Sequence, residues 1–280
     1  MSVSGTGDTV AIPKIIHYCW LSEDPYPELV LRCQESWQRH LPHYRLQLWN
    51  TKTFDIQAHS WVNEAVQQKK WAFAADYIRL YAIYHHGGIY LDSDVEVLQS
   101  FDSLLSLPFF FGFENGSHRI EAAAFGAESG NPLIGQCLEV YKDRPFSYQE
   151  NSADTIVLPR LMKEALGKKR LHEIHSISEF QYNETVIPIF SQRFFSPKSY
   201  LEGQIATSPD SFCIHHFESS WRAPYVLQMI KKRQRYYQQY PRMIAHLLTC
   251  WISLQKNRKE FGVLGSLKKL LQKIFRHTSY

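Results

Sequence analysis

The sequence predicts one α/β domain followed by a basic helical extension. Strand-like and helix-like segments alternate from the start of the chain, which is typical of α/β folds. The 280 residues are 44% hydrophobic and 14% aromatic, enough to bury a large core. A change in charge near the end separates the two parts. We therefore expect a disordered N-terminus over 1–11, a domain over 12–224 and a helical extension over 225–280.

The first elements form a βαβ unit. Residues 14–20 are rich in β-formers and lie between Pro13 and a turn-forming SEDPYP segment. Residues 27–41 carry apolar side chains at helical spacing, and residues 44–50 alternate like a strand. This order predicts two strands joined by one helix.

A long helix and a third strand follow. Apolar residues at helical spacing predict one helix over 63–86. Gly87 and Gly88 end it, because glycine readily takes the positive φ values that close a helix. The segment IYLDSDVEVL over 89–98 then predicts a strand that contains Asp92 and Asp94.

Composition excludes several classes of protein. The longest apolar stretches fall short of the roughly 20 residues that a membrane-spanning helix needs, and the polar start lacks the basic and hydrophobic regions of a signal peptide. The cysteines are odd in number and lack CxxC spacing, so neither a zinc site nor a disulfide framework is indicated. They are Cys19, Cys33, Cys137, Cys213 and Cys250. We expect a protein of the reducing cytoplasm.

Positive charge is concentrated in the last fifty residues. Residues 231–280 contain twelve Lys or Arg and one Glu, a net charge of +11, which leaves residues 1–230 at −7. Within 261–277, apolar residues form one stripe of a basic amphipathic helix. The stripe comprises Leu264, Leu267, Leu270, Leu271, Ile274 and Phe275. This helix either lies on the inner, anionic face of a membrane or packs on the domain; no nucleic-acid-binding module accompanies the charge.

Asp92 and Asp94 are the first candidate site. In an extended segment their side chains point to the same side, with Cα atoms about 7 Å apart. Two carboxylates at the carboxyl end of an apolar strand repel each other unless a cation, an arginine or ligand hydroxyls compensate them. Oxygen ligands of this type suit Mg²⁺ or Mn²⁺ carrying substrate phosphates. The alternative is a solvated turn after a strand.

Asp76 and Arg79 lie three residues apart on one face of the predicted helix. They form either a private ion pair or a group that meets the same ligand as the two aspartates. Both interpretations stay open at this point.

The chain resembles the DXD-containing glycosyltransferases of family 32. These include bacterial polysaccharide enzymes and fungal Golgi mannosyltransferases, and are distantly related to the large glucosylating toxins. The resemblance covers about residues 12–222 and is most specific in the central block. It runs through IPKIIHYCWL, CQESWQRHLPHYRLQLWN, AFAADYIRLYAIYHHGGIYLDSDVEVL, FGAESGNPL, RFFSPKSY and IHHFESSW. It implies a GT-A fold, which is a Rossmann-like α/β domain, and a nucleotide-sugar-dependent transferase that uses Mn²⁺ or Mg²⁺.

The resemblance also implies roles for individual residues. By its position, Asp94 resembles the residue that binds the metal directly in the family. Asp92 resembles the residue that contacts the donor's ribose and sugar or a metal-bound water. Asp76 and Arg79 resemble donor-sugar contacts, with Arg79 near the diphosphate. The implied donor site and metal shell further include Tyr18, Cys19, Trp20, Ser93 and Trp221 for the donor, and His215, His216 or Glu218 for the metal.

Two features leave the substrates open. Many relatives carry a polar residue, often Asn, where this chain has Ala122, with Glu121 beside it. The donor sugar is therefore not defined. Asp154 and Thr155 lie where relatives line the acceptor cleft, but nothing in that segment fixes an acceptor.

The sequence predicts a cytoplasmic, metal-dependent, retaining hexosyltransferase. It would use a nucleotide diphosphate sugar, preferentially a UDP-hexose, and a polysaccharide or lipid-linked oligosaccharide acceptor. Retention is implied by the resemblance and fits the lack of an obvious enzymic nucleophile. The alternatives are a two-metal phosphoryl-transfer enzyme or nuclease, and a non-catalytic carbohydrate-binding or membrane-docking protein.

Overall fold

The computed structural model describes residues 12–116, 119–148, 157–167, 169–219 and 224–252. The chain divides into two compact units. The first comprises residues up to Lys198 together with Ile205–Trp221, and the second comprises Ser199–Gln204 and the residues from Arg222 onward. The N-terminal segment 1–11 and the amphipathic stripe at 264–275 lie outside the described residues.

A five-stranded mixed sheet forms the centre of the first unit. Its order is β2-β1-β3-β6-β5, in which β1 runs parallel to β2 and β3, and β6 runs antiparallel to β3 and β5. These strands are β1 Ile15–Cys19, β2 Arg45–Trp49, β3 Gly88–Leu91, β5 Phe109–Phe110 and β6 Ala124–Ala127. Two further pairs are β4 Val95–Val97 with β9 Cys213–His215, antiparallel, and β7 Arg170–Ile174 with β8 Val186–Phe190, parallel.

Helices cover both faces of the sheet. In the first unit they are α1 Glu28–His40, α2 Ser60–Gln67, α3 Trp71–His86, α4 Pro132–Glu139, α5 Leu158–Leu166 and α6 Gln192–Phe195. One apolar core lies between the sheet and α2 to α5, and a second lies between the sheet, α1 and the β4–β9 pair. The indole of Trp37 in α1 is fully buried and donates a hydrogen bond to Val95 O at 2.7 Å. The predicted α/β class and Rossmann-like architecture are confirmed.

The prediction of one helix over 63–86 is wrong, because the chain forms α2 and α3 with a break between them. Lys69 has a φ of 55°, its amide donates to Val66 O at 2.9 Å, and the amide of Lys70 donates to Ala65 O at 2.8 Å. These two bonds are a Schellman ending, which satisfies the last carbonyl groups of α2. Lysine rarely adopts this backbone conformation, so the break could not be predicted from the residue types.

The predicted strand over 89–98 is also interrupted. β3 ends at Leu91, and β4 resumes at Val95 in a different sheet. The amide of Val95 donates to Asp92 O at 3.0 Å, which closes a turn over residues 92–95. Asp92 and Asp94 therefore lie in a tight turn rather than in extended chain.

The second unit contains two helical segments. Its first helix is α7 Pro224–Gln239, and residues 242–252 are helical after Pro241. In α7, Gln234 donates from Nε2 to Tyr200 O at 3.1 Å, which holds the 199–204 loop against this helix. In the part of the chain that the structure describes, no helix is both long enough and apolar enough to cross a bilayer.

Candidate functional site

Asp92 and Asp94 lie at the carboxyl end of the buried strand β3. The amide of Asp92 donates to Ala123 O at 2.8 Å, which fixes the turn beside the start of β6. Ser93 Oγ donates to Cys19 O at 3.0 Å and ties the turn to the end of β1. Two neighbouring parallel strands thus deliver their carboxyl ends to one place, which is where open α/β sheets bind ligands.

Arg79 in α3 holds Asp92 and Asp76 together. Its guanidinium contacts Asp92 through both terminal nitrogens, with Nη2 at 3.1 Å from Oδ1 and Nη1 at 3.3 Å from Oδ2. Nη2 also lies 3.1 Å from Asp76 Oδ1, Nη1 donates to Ala122 O at 2.7 Å, and Nε donates to Ala75 O at 3.3 Å. Each of the three guanidinium nitrogens therefore lies within 3.3 Å of a protein oxygen.

The ion pair of Asp76 and Arg79 is consequently not private, because the guanidinium bridges both acids. Burial raises the pKa of Asp76 to about 7, although Arg79 acts in the opposite direction. Burial likewise raises the pKa of Asp92, again against the effect of Arg79. Tyr90 stabilises the charged form of Asp92 by donating its hydroxyl to Oδ1 at 2.9 Å. Arg79, packed over the Tyr90 ring at 4.6 Å, keeps its positive charge.

His215 completes the acidic end of the site. It is the last residue of β9, which pairs with β4 so that Val95 lies opposite His215. Nε2 of His215 lies 3.7 Å from Asp94 Oδ1, and Nδ1 lies 3.1 Å from Glu121 Oε1. Glu121 is 2% exposed, and its Oε1 also accepts the amide of Ala123 at 3.0 Å. The buried carboxylate thus orients the ring so that Nε2 faces the aspartates.

These acids set the charge of the histidine. Burial alone would lower the pKa of His215, but Glu121 and Asp94 outweigh it and raise this pKa to about 9. Burial would raise the pKa of Glu121, but the imidazolium of His215 outweighs it and lowers the pKa. The two groups therefore stabilise each other as an ion pair.

The residues present fit a divalent cation. Asp92, Asp94 and His215 each offer one ligand atom, and these atoms all lie within 4.8 Å of one another. Two carboxylates and an imidazole suit Mn²⁺, and the carboxylates also suit Mg²⁺. A cation bound at Nε2 displaces the proton that His215 carries. Glu121 would then serve as the acceptor that orients a metal-binding histidine.

The structure places His216 and Glu218 differently from His215. His216 Nε2 lies 2.9 Å from Glu96 Oε2, on the opposite side of β9 from His215 because side chains alternate along a strand. The side chain of Glu218 is exposed, while its amide donates to Asp94 Oδ2 at 2.8 Å. Of the three candidates for the third metal ligand, His215 is the one grouped with both aspartates.

The loop after β9, which contacts Asp94 through the amide of Glu218, has a strained backbone. Phe217 and Ser219 have φ values of 58° and 50°, which cost about 1 kcal/mol or more each for non-glycine residues. The Phe217 ring lies 3.9 Å from that of His215. Part-buried Lys198 donates from Nζ to His216 O at 2.7 Å, and burial lowers the pKa of this amine. Glu218 and Asp94 act against burial on this pKa, so the ammonium group of Lys198 lies near the acidic turn.

The remaining donor-site candidates lie at the end of β1. The Tyr18 ring packs edge-on against Trp37 at 5.3 Å, and burial raises the pKa of its hydroxyl to about 12. Cys19 is buried, and burial raises the pKa of its thiol to about 12, so it is an inert thiol. Half-exposed Trp20 packs against Tyr26 in a tilted arrangement, with the ring centroids 4.8 Å apart. Trp221 lies outside the described residues, as do Asp154 and Thr155.

The sequence assigned no role to Glu121. The available signal was one acidic residue in the otherwise apolar segment that leads into β6. A buried carboxylate needs a partner, so this position could have been paired with a histidine. Which histidine it meets depends on the pairing of β9, which is remote in sequence.

Comparison with known proteins matches the part of the chain that contains Arg79, Asp92 and Asp94. Residues 27–110 match the family described as glycosyltransferase sugar-binding region containing DXD motif. Two yeast proteins are similar in sequence. One is inositol phosphoceramide mannosyltransferase 3 of Schizosaccharomyces pombe, 29% identical over 51% of this chain and 41% of its own length. The other is mannosyl phosphorylinositol ceramide synthase CSH1 of Saccharomyces cerevisiae, 33% identical over 35% of this chain and 27% of its own length.

The chain thus spans less than half the length of these two relatives. Among solved structures, the PaToxG glycosyltransferase is similar at 17% identity with a TM-score of 0.44. The match covers 56% of this chain and 68% of that one.

Proposed function

We propose that the protein is a metal-dependent hexosyltransferase, on the premise that residues 27–110 match the family described as glycosyltransferase sugar-binding region containing DXD motif. It transfers a hexose from a nucleotide diphosphate sugar, with UDP-hexoses as the first candidates, to a glycan or lipid-linked glycan. The anomeric configuration of the sugar is retained. The observation that carries the proposal is the convergence of Asp92, Asp94 and His215 next to Arg79.

Asp94 and His215, together with Asp92, would hold Mn²⁺ or Mg²⁺. The bound cation supplies positive charge that stabilises the diphosphate as it leaves. Every nitrogen of Arg79 already lies within 3.3 Å of a protein oxygen, so we assign this residue to positioning Asp92 and Asp76. Lys198 provides a second positive charge close to Asp94 and is the candidate contact to the diphosphate.

The donor site would lie between the ends of β1 and β3. Tyr18 and Trp20 provide aromatic surface for a nucleotide base, and backbone groups around Cys19 and Ser93 provide polar contacts. Asp76 and Asp92 would face the sugar. Trp221 stays a predicted cover for the donor.

A lipid-linked acceptor is supported by the names of the two yeast relatives, one an inositol phosphoceramide mannosyltransferase and the other a mannosyl phosphorylinositol ceramide synthase. We further propose a cytoplasmic, membrane-peripheral location. All five cysteines are free thiols, which fits a reducing compartment.

A donor panel tests the proposal. UDP- and GDP-linked hexoses are added to the full chain with Mn²⁺, with Mg²⁺ and with a chelator, and thermal stability and release of nucleotide diphosphate are measured. We expect one donor to stabilise the protein and to be hydrolysed slowly, in both cases only with the cation. Anomeric NMR of the transfer product tests retention.

Asp94→Asn is the matched control, because it keeps the shape of the side chain and should remove both responses. Hydrolysis of a phosphodiester without any sugar donor would replace this proposal with phosphoryl transfer. Sugar binding without turnover of any donor would indicate a binding protein.

A further inference from the structure

The helix over residues 242–252 presents a row of apolar side chains to solvent. Met243, Leu247 and Trp251 are 76%, 63% and 61% exposed, and Ile244 beside them is 43% exposed. The first three follow each other at intervals of four and therefore share one face of the helix. These three are the most exposed large apolar side chains among the residues that the structure describes.

The other face of the same helix is already used for packing. Ala245 is fully buried and Thr249 is 6% exposed. Tyr237 of α7 lies with its hydroxyl 3.3 Å from His246 Nδ1, which joins the two helices of this unit. The apolar row is therefore not needed to hold the described part of the unit together.

Basic residues outnumber acidic ones in the described part of the second unit. The described residues of the second unit, 199–204 and 224–252, contain five basic side chains and one acidic one. The basic ones are Lys231, Lys232, Arg233, Arg235 and Arg242, and the acidic one is Glu202, whose Oε1 lies 3.1 Å from Arg242 Nη2. Lys231, Lys232 and Arg235 are exposed on α7. By contrast, residues 1–230 have a net charge of −7.

We propose that the second unit docks on an anionic lipid surface, with Met243, Leu247 and Trp251 inserted into the headgroup and acyl-chain boundary. Exposed apolar residues in a unit rich in basic residues, with a tryptophan among them, are the features by which such a unit binds a lipid interface. Nucleic acid would attract the cations but would leave the apolar row in water. The proposal deepens the proposed function, on which it rests for its purpose: docking brings the enzyme to the surface that contains a lipid-linked acceptor.

The first test is co-sedimentation of the full chain with vesicles. Phosphatidylcholine vesicles with and without phosphatidylglycerol are compared at about 0.1 M and about 0.5 M salt. We expect binding to the anionic vesicles only, weakened at the higher salt. Leu247→Ser combined with Trp251→Ser should lower the partition coefficient about tenfold or more. The matched control combines Leu31→Ser and Ile205→Ser, which are 45% and 49% exposed on the first unit, and should bind like the unchanged protein.

The cations have a test of their own. Lys231→Gln, Lys232→Gln and Arg235→Gln together should lower anionic-vesicle binding and its salt dependence. Arg39→Gln, Lys52→Gln and Lys69→Gln, three exposed positions of the first unit, should not. Brominated lipids report insertion directly, because they quench nearby tryptophans. Trp251→Phe should remove most of this quenching.

Several results would overturn the docking surface. These are equal sedimentation of the Leu247–Trp251 variant and the unchanged protein, equal binding to neutral and anionic vesicles, or quenching that persists in Trp251→Phe. A dimer without lipid that the Leu247–Trp251 variant dissociates would identify the row as an interface between copies instead. Donor hydrolysis is measured in parallel without vesicles, and the variants should match the unchanged protein. Failure of hydrolysis in every protein would remove the proposed function while the vesicle result stands separately.

Discussion

Two histidines of this protein, one buried and one part-buried, have opposite surroundings. His17 is fully buried in β1, where Nε2 lies 2.8 Å from Gly87 O and Nδ1 accepts the indole N–H of Trp49 at 3.0 Å. Burial lowers the pKa of His17 to about 4, so it is neutral. His215 lies between Glu121 and Asp94, which raise its pKa to about 9 against the effect of burial. Burial alone therefore does not mark a functional histidine; the charges around it do.

The difference follows from the position of each residue in the sheet. His17 lies within a strand, and its bonds join β1, β2 and the turn that ends α3. His215 lies at the end of a strand, where side chains from β3, β6 and β9 meet. A neutral pocket stabilises one imidazole form and stays fixed, whereas an acidic pocket can exchange a proton for a metal ion.

The largest effect is expected from Asp94, because it faces both His215 and the proposed cation. Asp94→Ala should lower kcat/KM for transfer by about a thousandfold, the size expected when a group that stabilises the transition state is lost. Asp92→Ala should act nearly as strongly. Turnover is measured over a range of donor concentrations up to saturation, at saturating cation, with circular dichroism as the check on folding.

Asp210→Ala is the control, since that acid forms an exposed pair with Arg193 at 3.1 Å. It should leave turnover unchanged. Near-normal turnover of either site variant would show that its carboxylate was assigned wrongly. The acidic residues around His215 would then have no role in catalysis.

Arg79 extends the comparison to a buried group that is always charged. Arg79→Lys keeps the charge but cannot reproduce a planar group with five donors. We expect kcat/KM to fall about a hundredfold and the affinity for Mn²⁺ to fall with it, because Asp92 loses its two-point contact. Turnover and Mn²⁺ titration are both measured.

Arg32→Lys in α1 is the matched control, because Arg32 makes only an exposed pair with Glu28. If Arg79→Lys loses stability but retains its affinity for Mn²⁺, Arg79 is a structural residue and not a positioning residue for the site.

Substitution of Glu121 tests the contrast between the two histidines most directly, because Glu121 is an acid that His215 contacts and His17 does not. Glu121→Gln keeps the size of the side chain and removes the negative charge beside His215. We expect affinity for Mn²⁺ to fall about tenfold to a hundredfold, with most of kcat recovered at saturating Mn²⁺, because partners of metal-bound histidines act at this scale. Mn²⁺ titrations of activity give both quantities.

Glu96→Gln provides the matched control, since Glu96 contacts His216 as Glu121 contacts His215. It should change the affinity for Mn²⁺ by less than about threefold. A larger effect of Glu96→Gln than of Glu121→Gln would make His216 the metal ligand.

The sequence predicted local features of the fold and the site better than long-range ones. It located β1, β2 and the acidic pair, because hydrophobic periodicity and turn residues are local. It missed the break at Lys69, where a residue adopts an unfavoured φ, and the turn at Asp92, where a strand changes sheets. The choice between His215 and His216 required the pairing of β9 with β4, which joins residues about 120 positions apart in sequence.

The smallest effect concerns the neutral histidine and appears in stability instead of activity. In the unfolded chain His17 should titrate near 6.5, whereas in the folded chain it does so at about 4, mainly because it is buried and secondarily because His86 and Arg45 are nearby. Below pH 6.5 the unfolded state therefore binds a proton that the folded state excludes, and stability falls as the pH falls towards 4. Between pH 7 and pH 5 this residue should contribute a loss of about 2 kcal/mol in the free energy of unfolding.

Urea unfolding at pH 7 and at pH 5 measures this loss. His17→Gln removes the titrating group, so the variant should be less stable at pH 7 but should lose about 2 kcal/mol less than the unchanged protein on going to pH 5. An equal loss in both proteins would contradict a neutral, buried His17 and with it the contrast to His215.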